Sequence, residues 1–441
     1  MATIPAKHFV RYYEILSVLI RHGLGYMLFT GNLMPMQEES FPLVGVHLRN
    51  AFAELGPAFV KIGQLASTRS DLLPQPIVQE LAKLQDRGNP LSFGVVRRVV
   101  EQSLQTRLEL AYQEFDPVPV AAASIGQVHQ AVLHTGERVA VKVQRPHLRE
   151  TVQTDLEIFR IFVDQIEQRT EWGKRYPIRI LLEEFSNTIK GELDFLNEGR
   201  NAEKIEKGNK KNSHIVIPKI YWEFTHSSVL TMEYISGIPL HQIIGSQETS
   251  YNVHQIADRL SKALLQQILL GGCFHGDPHP GNIFILPGEE IALLDFGITG
   301  HLTSIMKDQI LSLMSALIRG NNALILETIS QMGIVPEQVD RLALQADISA
   351  LRHKHLKVPS GKFAMGESIQ DFFNIIFRHG IHIPSEFILV GKSLITLEGI
   401  LNELDPTLSL VEQAKPFSRR LIWGKFDLLN LWERIRGTST R

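Results

Sequence analysis

Asp277, Asn282 and Asp295 are oxygen-bearing side chains set close together in the chain, within His275-Gly276-Asp277-Pro278-His279-Pro280-Gly281-Asn282 and Leu293-Leu294-Asp295-Phe296-Gly297. An ionised carboxylate can take a proton from a hydroxyl, and an amide oxygen with a second carboxylate makes a hard donor set suited to Mg2+. Asn282 follows Asp277 by five positions and Asp295 follows it by 18. His275 and His279 are four apart, a spacing that can hold zinc on a helix, but Pro278 and Pro280 flank His279 and disfavour one helical face. Cys273 has nothing around it in sequence that would depress its pKa, so a small buried side chain is expected rather than a nucleophile.

A phosphate cradle precedes these residues. Val120-Ala121-Ala122-Ala123-Ser124-Ile125-Gly126-Gln127-Val128 has the spacing of a protein-kinase glycine-rich loop, with alanines at the first two glycine positions and only Gly126 kept. Each added Cβ narrows the backbone torsions and limits how closely amides approach phosphate oxygens, so a stiffer loop is expected. Lys142, in Val139-Ala140-Val141-Lys142, stands 14 positions after Val128 and suits a lysine that pairs phosphates from a strand. The segment from Asp277 to Asp295 likewise matches the catalytic and metal residues of kinases, and two short strands fit between them.

Three further features depart from ordinary kinases: the alanine-rich loop, Lys61-Ile62-Gly63-Gln64, and Glu192-Leu193-Asp194. With them the chain resembles the UbiB family of atypical kinases, also called AarF-domain-containing kinases, over about residues 45 to 405. The resemblance implies an α+β, atypical protein-kinase-like two-lobed fold with an added N-terminal helical region and a mainly helical C-lobe. It also implies ATP and Mg2+ as cofactors, with catalytic roles for Asp277, Lys142, Glu198, Lys61, Gln64, Glu192 and Asp194. Nucleotide contacts would come from Val120, Ala121, Ala122, Ala123, Ser124, Ile125, Gly126, Gln127 and Val128, then from Lys142, Glu233 and Ile235, and metal contacts from Asn282 and Asp295. In that family an N-terminal KxGQ helix folds over the nucleotide site. Members support isoprenoid quinone synthesis, so quinone-precursor lipids and quinone-biosynthesis proteins are implied partners.

The acidic residues sort by helical angle. On one helix Asp194 and Glu198 would lie about 40° apart and Glu192 and Glu198 about 120°. That geometry assigns Glu198 to Lys142, and Glu192 with Asp194 to Lys61 and Gln64, which share a helix face.

The elements around these residues follow from composition and pattern. The 441 residues, 44% hydrophobic and 21% charged, can bury a large core, and a net charge of -2 gives no field that would draw nucleic acid. One cysteine excludes an intramolecular disulfide framework and suits a reducing compartment. The N-terminal stretch carries Arg11 and Glu14 where a secretion signal would be apolar, and no uninterrupted apolar run reaches the length of a spanning helix. His22 to Gln37 is broken by glycines and Pro35, and Ile381 to Leu397 by Glu386 and Lys392. A cytoplasmic address is therefore expected, with peripheral membrane contact open to Tyr12, Ile15, Leu16, Leu19 and Ile20, a helical stripe that more ordinarily packs on its own domain.

Residues 1–112 read as a helical extension holding the KxGQ motif, 113–235 as the N-lobe and 236–441 as the C-lobe. Within them Val128 to Leu133 and Arg138 to Val143 read as strands around a His134-Thr135-Gly136-Glu137 turn. Leu148 to Glu171 and Ile180 to Lys207 read as helices. Ile215 to Phe224 and Val229 to Tyr234 read as strands, as do Ile283 to Leu286 and Ile291 to Leu294, joined through Pro287-Gly288. After Gly297 the pattern turns helical by Lys307, with no APE-type segment to build a peptide platform. The expected activity is an ATP-dependent kinase-like ATPase or phosphotransferase in quinone-lipid metabolism. The competing readings are a small-molecule phosphotransferase, because aminoglycoside and choline kinases carry a similar HGDxHxxN segment, and a nucleotide-responsive scaffold.

Overall fold

The computed structural model describes residues 8–25, 40–67, 73–84, 88–169, 178–210, 212–244, 246, 251–319, 321–336, 339–356 and 365–417. Most of the apolar stretch His22 to Gln37 and the end of the expected helix at Glu171 lie outside them. The chain divides into two compact units, residues 1–200 with 219–234, and residues 201–218 with 235–441.

The first unit begins with helices α1 (Phe9–Arg21), α2 (Phe41–Leu55), α3 (Pro57–Ala66), α4 (Gln75–Leu81), α5 (Phe93–Leu104) and α6 (Leu108–Ala111). In α1, Ile15 and Val18 are buried and Tyr12 stacks on Phe162 at 5.4 Å, so part of the expected stripe packs inside the unit, while Ile20 joins Phe9, Val10 and Tyr13 in solvent. Arg11 fixes the same helix by donating to the fully buried Asp155 (2.7 Å) and to the Leu55 carbonyl (2.8 Å).

Strands β1 (Glu114–Phe115), β2 (Ala121–Ala122), β3 (Gly126–Val132) and β4 (Arg138–Gln144) follow. The expected hairpin is present, with β3 antiparallel to β4 and Val128 opposite Lys142. After helices α7 (Leu148–Arg169), α8 (Ile178–Glu192) and α9 (Phe195–Asn209), the chain makes β5 (Ile215–Val216) in the other unit and returns with β6 (Val229–Glu233). The sheet order is β1-β3-β4-β6, with β2 on the edge of β3. Strand alternation explains its core. Val139, Val141 and Val143 point to one face and pack with Val96 and Val100 of α5, Leu108, Tyr112 and Val229, which sends Lys142 to the opposite face.

Two expected elements are corrected: of Ile215 to Phe224 only Ile215–Val216 is strand, and Trp222–Phe224 is a 3-10 turn. The pattern from Ile180 to Lys207 is two helices, broken at Leu193-Asp194. The Asp194 carboxylate accepts from the Leu196 amide (3.2 Å), satisfying a donor at the start of α9 that a continuous helix would have bonded to a carbonyl. Glu192 and Glu198 therefore stand on different helices, and the single-helix angles do not apply to them.

The second unit contains α10 (Leu240–Ile244) and α11 (Val253–Gln266), which runs into a π-helical turn at Gln267–Gly271. Strands β7 (Ile238–Pro239), β9 (Ile283–Leu286) and β10 (Glu290–Leu293) form a sheet with β5 in the order β5-β10-β9-β7, and β8 (Cys273–His275) pairs with β11 (Thr299–His301). Helices α12 (Ser304–Arg319), α13 (Asn322–Met332), α14 (Arg341–Leu356), α15 (Met365–Arg378) and α16 (Ser385–Leu404) complete it. Among the described residues no helix is long and apolar enough to cross a membrane.

Candidate active site

In the first unit, Lys142 is presented by β4 and meets Glu198 in the first turn of α9. Its Nζ donates to both Glu198 oxygens, at 2.8 and 2.9 Å, and also lies 5.2 Å from the centre of the Phe195 ring. Both side chains are nearly buried, 11% and 3% exposed, so the pair is held in a weakly screened environment. The assignment of Glu198 to Lys142 made from sequence coincides with this contact.

The second pair joins α3 to α8. Lys61 Nζ lies 3.0 Å from Glu192 Oε2, with the side chains 13% and 4% exposed. The other oxygen, Oε1, is buried and has no hydrogen-bond partner among the described residues. Asp194 is not brought to Lys61 or Gln64. It faces Arg149 at 3.6 Å, and Gln64 donates its amide to the Leu84 carbonyl at 3.2 Å.

The alanine-rich segment forms β2 and the turn into β3, with Ala121 opposite Val128 and Ala123 N–H bonded to the Gly126 carbonyl at 2.8 Å. Val120 and Ala121 are exposed, whereas Ser124, Ile125, Gly126 and Gln127 are buried. Gly126 is required by the sheet: a Cβ there would lie 2.4 Å from the Val143 carbonyl oxygen. Gln127 accepts from the Leu91 amide (2.6 Å) and donates to His129 (2.7 Å). Arg145 donates to the Ala123 carbonyl (3.0 Å), tying the turn down. Glu233, exposed at the end of β6, accepts from the Lys219 amide (3.3 Å), and Ile235 two residues on is half-buried.

In the second unit the β9–β10 hairpin sets Asn282 and Asp295. Its register pairs Leu293 with Ile283, and the Leu294 amide then bonds the Asn282 carbonyl at 2.8 Å, so Asn282 and Asp295 leave the same end of the hairpin. Asn282 Nδ2 donates to the Asp277 carbonyl (3.3 Å), which uses the amide nitrogen and leaves its oxygen as the atom offered to a cation. Asp295 has a left-handed backbone, φ 58°, and accepts from the Gly297 amide at 3.1 Å. Asn201 donates to the Phe296 carbonyl (3.2 Å), and Phe296 is buried against His275.

His275 supports the loop as a neutral base. Burial pushes its pKa down, its Nε2 lies 2.9 Å from the Leu294 carbonyl and its Nδ1 accepts from the Asp277 amide at 3.1 Å. That pair of partners fixes the tautomer with the proton on Nε2. The π-helical turn places the Gln267 side-chain Oε1 on the His275 amide, which donates to it at 3.0 Å. His279 caps its own turn, Nδ1 accepting from Gly281 (2.8 Å), which is a structural use rather than a zinc ligand's. Asp277 faces Lys392 of α16, with Nζ 3.2 Å from Oδ1. Lys392, Ser393 and Asn201 were not legible as site residues, because each reaches the loop from a distant part of the chain, nor was Gln267, eight residues before His275, because only the π-helical turn aims it there.

The donor set fits Mg2+ in kind: an amide oxygen and a carboxylate oxygen, both hard ligands. Among the described residues no group of three or more His, Cys, Asp or Glu side chains gathers as a transition-metal site would.

Residues 83–329 match the ABC1 atypical kinase-like domain and residues 348–409 match the UbiB helical domain. An uncharacterized protein of Synechocystis sp. is 32% identical over 376 residues, covering 85% of this chain and 64% of that one. The Arabidopsis thaliana protein named ACTIVITY OF BC1 COMPLEX KINASE 7, chloroplastic, is 34% identical over 376 residues, covering 85% of this chain and 54% of that one. The chain thus spans between about half and two thirds of the length of these two relatives. A solved Mycobacterium tuberculosis protein, determined in complex with erythromycin, shares the fold with a TM-score of 0.56 at 22% identity, over 90% of this chain and 98% of that one.

Proposed function

The chain belongs to the ABC1 atypical kinase-like family, and from that premise we propose that it is an ATP- and Mg2+-dependent ATPase or unconventional phosphotransferase supporting isoprenoid quinone synthesis. The observation that carries this reading is the buried Lys142–Glu198 pair, which holds an ammonium on the sheet face opposite the apolar core. A pair so arranged orients the lysine at little entropic cost, and an oriented lysine is what nucleotide phosphates need.

Within the reading each residue has one task. Lys142 holds the phosphates, oriented by Glu198. Asn282 and Asp295 supply oxygens to Mg2+, which when bound neutralises phosphate charge. Asp277 takes the proton of the attacking hydroxyl or water. The segment Val120 to Val128 covers the phosphates, with Glu233 and Ile235 beside the base. Lys61 and Glu192 restrain access, so a small head group or water is favoured as acceptor over a protein chain. Exposed Phe9, Val10, Tyr13 and Ile20 favour peripheral attachment to a lipid surface, and a cytoplasmic address is part of the same reading.

The test is phosphate release by purified protein with MgATP, with and without vesicles carrying quinone-precursor-like lipids, against an Asp295→Asn variant. Lipid-stimulated release in the parent and none in the variant is expected. Equal release from both would sink the assignment, and lipid-independent release would remove the quinone-lipid part of it. Release stimulated by aminoglycoside or choline would favour the small-molecule phosphotransferase.

A further inference from the structure

Helix α16 is buried along much of its length, at Phe387, Ile388, Val390, Gly391, Ser393, Leu394, Leu397, Ile400, Leu401 and Leu404. It carries one basic residue, Lys392. Burying most of a helix while keeping a lysine on it is expected where the charge has a task.

The lysine is aimed. Its Nζ lies 3.2 Å from Asp277 Oδ1, and both side chains are 32% exposed, so the pair is open to a small substrate. The helix is docked on the loop backbone itself. Ser393 Oγ lies 3.2 Å from the His275 carbonyl oxygen and 3.3 Å from that of Gly276. A Cβ on Gly276 would stand 3.0 Å from a Leu389 methyl and 2.8 Å from one of Ile298, so the close approach depends on the glycine. The loop supplies no cation of its own: between His275 and Asn282 there is no lysine or arginine, His275 is held neutral by burial, and His279 Nδ1 is engaged as an acceptor.

We propose that Lys392 is a positioning residue for Asp277, an inference that rests on the phosphoryl-transfer reading above. The ammonium holds Oδ1 and leaves Oδ2 as the proton acceptor where the acceptor binds. In the step served, a hydroxyl or water oxygen forms a bond to the terminal phosphorus of ATP while its proton passes to Asp277 Oδ2. The bond from that phosphorus to the bridging oxygen breaks, and its electron pair leaves with ADP. Lys392 itself bonds neither reactant. Helix α16 lies within residues 348–409, outside the kinase-like segment 83–329, so the proposal makes the helical domain part of the catalytic apparatus.

The experiment uses the full chain and MgATP, measuring kcat and KM for phosphate release, and thermal unfolding, for the parent, Lys392→Met and Lys392→Arg. Lys392→Met should lower kcat by about 10- to 100-fold and leave KM for ATP within about twofold. Lys392→Arg should restore most of the parent's kcat. A Met variant with the parent's kcat overturns the role, and so does a loss that arginine does not rescue and that tracks a loss of stability, which would mark a packing role. If Lys392→Met fails to unfold cooperatively, Lys392→Gln makes the same comparison with a polar head. A parent that releases no phosphate under any condition sinks the enzymatic reading, and with it this one. That outcome is distinct from a working parent whose lysine variants do not differ from it.

Discussion

Lys61 and Glu192, far apart in sequence, meet at 3.0 Å between α3 and α8, and one oxygen of Glu192 is buried without a hydrogen-bond partner among the described residues. Removing the lysine would leave a carboxylate that is 4% exposed without this cation. Lys61→Ala should therefore destabilise the protein by about 3 kcal/mol, and adding Glu192→Gln should recover part of that. Urea unfolding of the two single variants and the double variant measures it. The same Lys61→Ala protein should show more self-phosphorylation or faster nucleotide exchange and less quinone production. If Lys61→Ala and Glu192→Gln both match the parent in these assays, the pair is structural only.

Asp295 separates metal binding from folding. Its left-handed backbone, φ 58°, suits Asp and Asn and strains Ala by roughly 1 kcal/mol. Asp295→Asn should unfold at the parent's temperature yet lose Mg2+-dependent ATP binding, while Asp295→Ala should lose both binding and some stability. Calorimetric titration of MgATP with thermal unfolding separates the two effects. A folded Ala variant that binds MgATP as the parent does would disprove the metal role.

The loop divides into a part that is fixed and a part that is adjustable. A Cβ at Gly126 would meet the Val143 carbonyl oxygen at 2.4 Å, and neither backbone can yield without opening β3 from β4. Gly126→Ala should cost at least about 2 kcal/mol in denaturant unfolding. Ala121→Gly or Ala123→Gly should change stability by less than about 1 kcal/mol and alter the ATP-to-ADP affinity ratio or self-phosphorylation. Identical nucleotide behaviour in both variants would count against the loop as a phosphate cover.

His129 supplies a pH dependence of stability that is independent of Asp277 and Asp295. It is buried, its Nδ1 lies 2.8 Å from the Asp116 carbonyl oxygen, and its Nε2 accepts from Gln127 at 2.7 Å. Burial lowers its pKa in the folded state. The unfolded chain therefore binds the proton first: the contribution is fully present above the unfolded imidazole pKa of about 6.5 and is lost as pH falls below it. Stability should decline below that pH with up to about 1.4 kcal/mol per unit from this residue. The check is the same series of unfolding curves in His129→Gln, whose slope should be shallower.

The hairpins were legible because their signals are local. Alternating β-branched residues around His134-Thr135-Gly136-Glu137 gave β3 and β4, and Pro287-Gly288 marked the turn from β9 to β10, which carries Asn282 and Asp295 at its open end. Charge pairing was legible where a strand lysine had an acidic helix to meet, as with Lys142 and Glu198. The break at Leu193-Asp194 was hidden, since helix-forming residues continue on both sides and only the side-chain bond to Leu196 reveals the new start. The same bond explains why Asp194 turns to Arg149 rather than to Lys61. Lys392 read as a charge that interrupts an apolar run, because its partner is supplied by tertiary structure alone.

The contact of Ser393 with the Gly276 carbonyl spans 117 residues of sequence. During synthesis the HGD segment leaves the ribosome well before the helix that docks on it, by roughly 6 to 23 s at about 5 to 20 residues per second. A nascent chain passes through that interval with Asp277 synthesised and not yet faced by Lys392. On the role proposed for Lys392, competence for proton transfer waits on the docking of α16, and a chain arrested before residue 392 would carry the HGD and DFG segments without the lysine that faces Asp277.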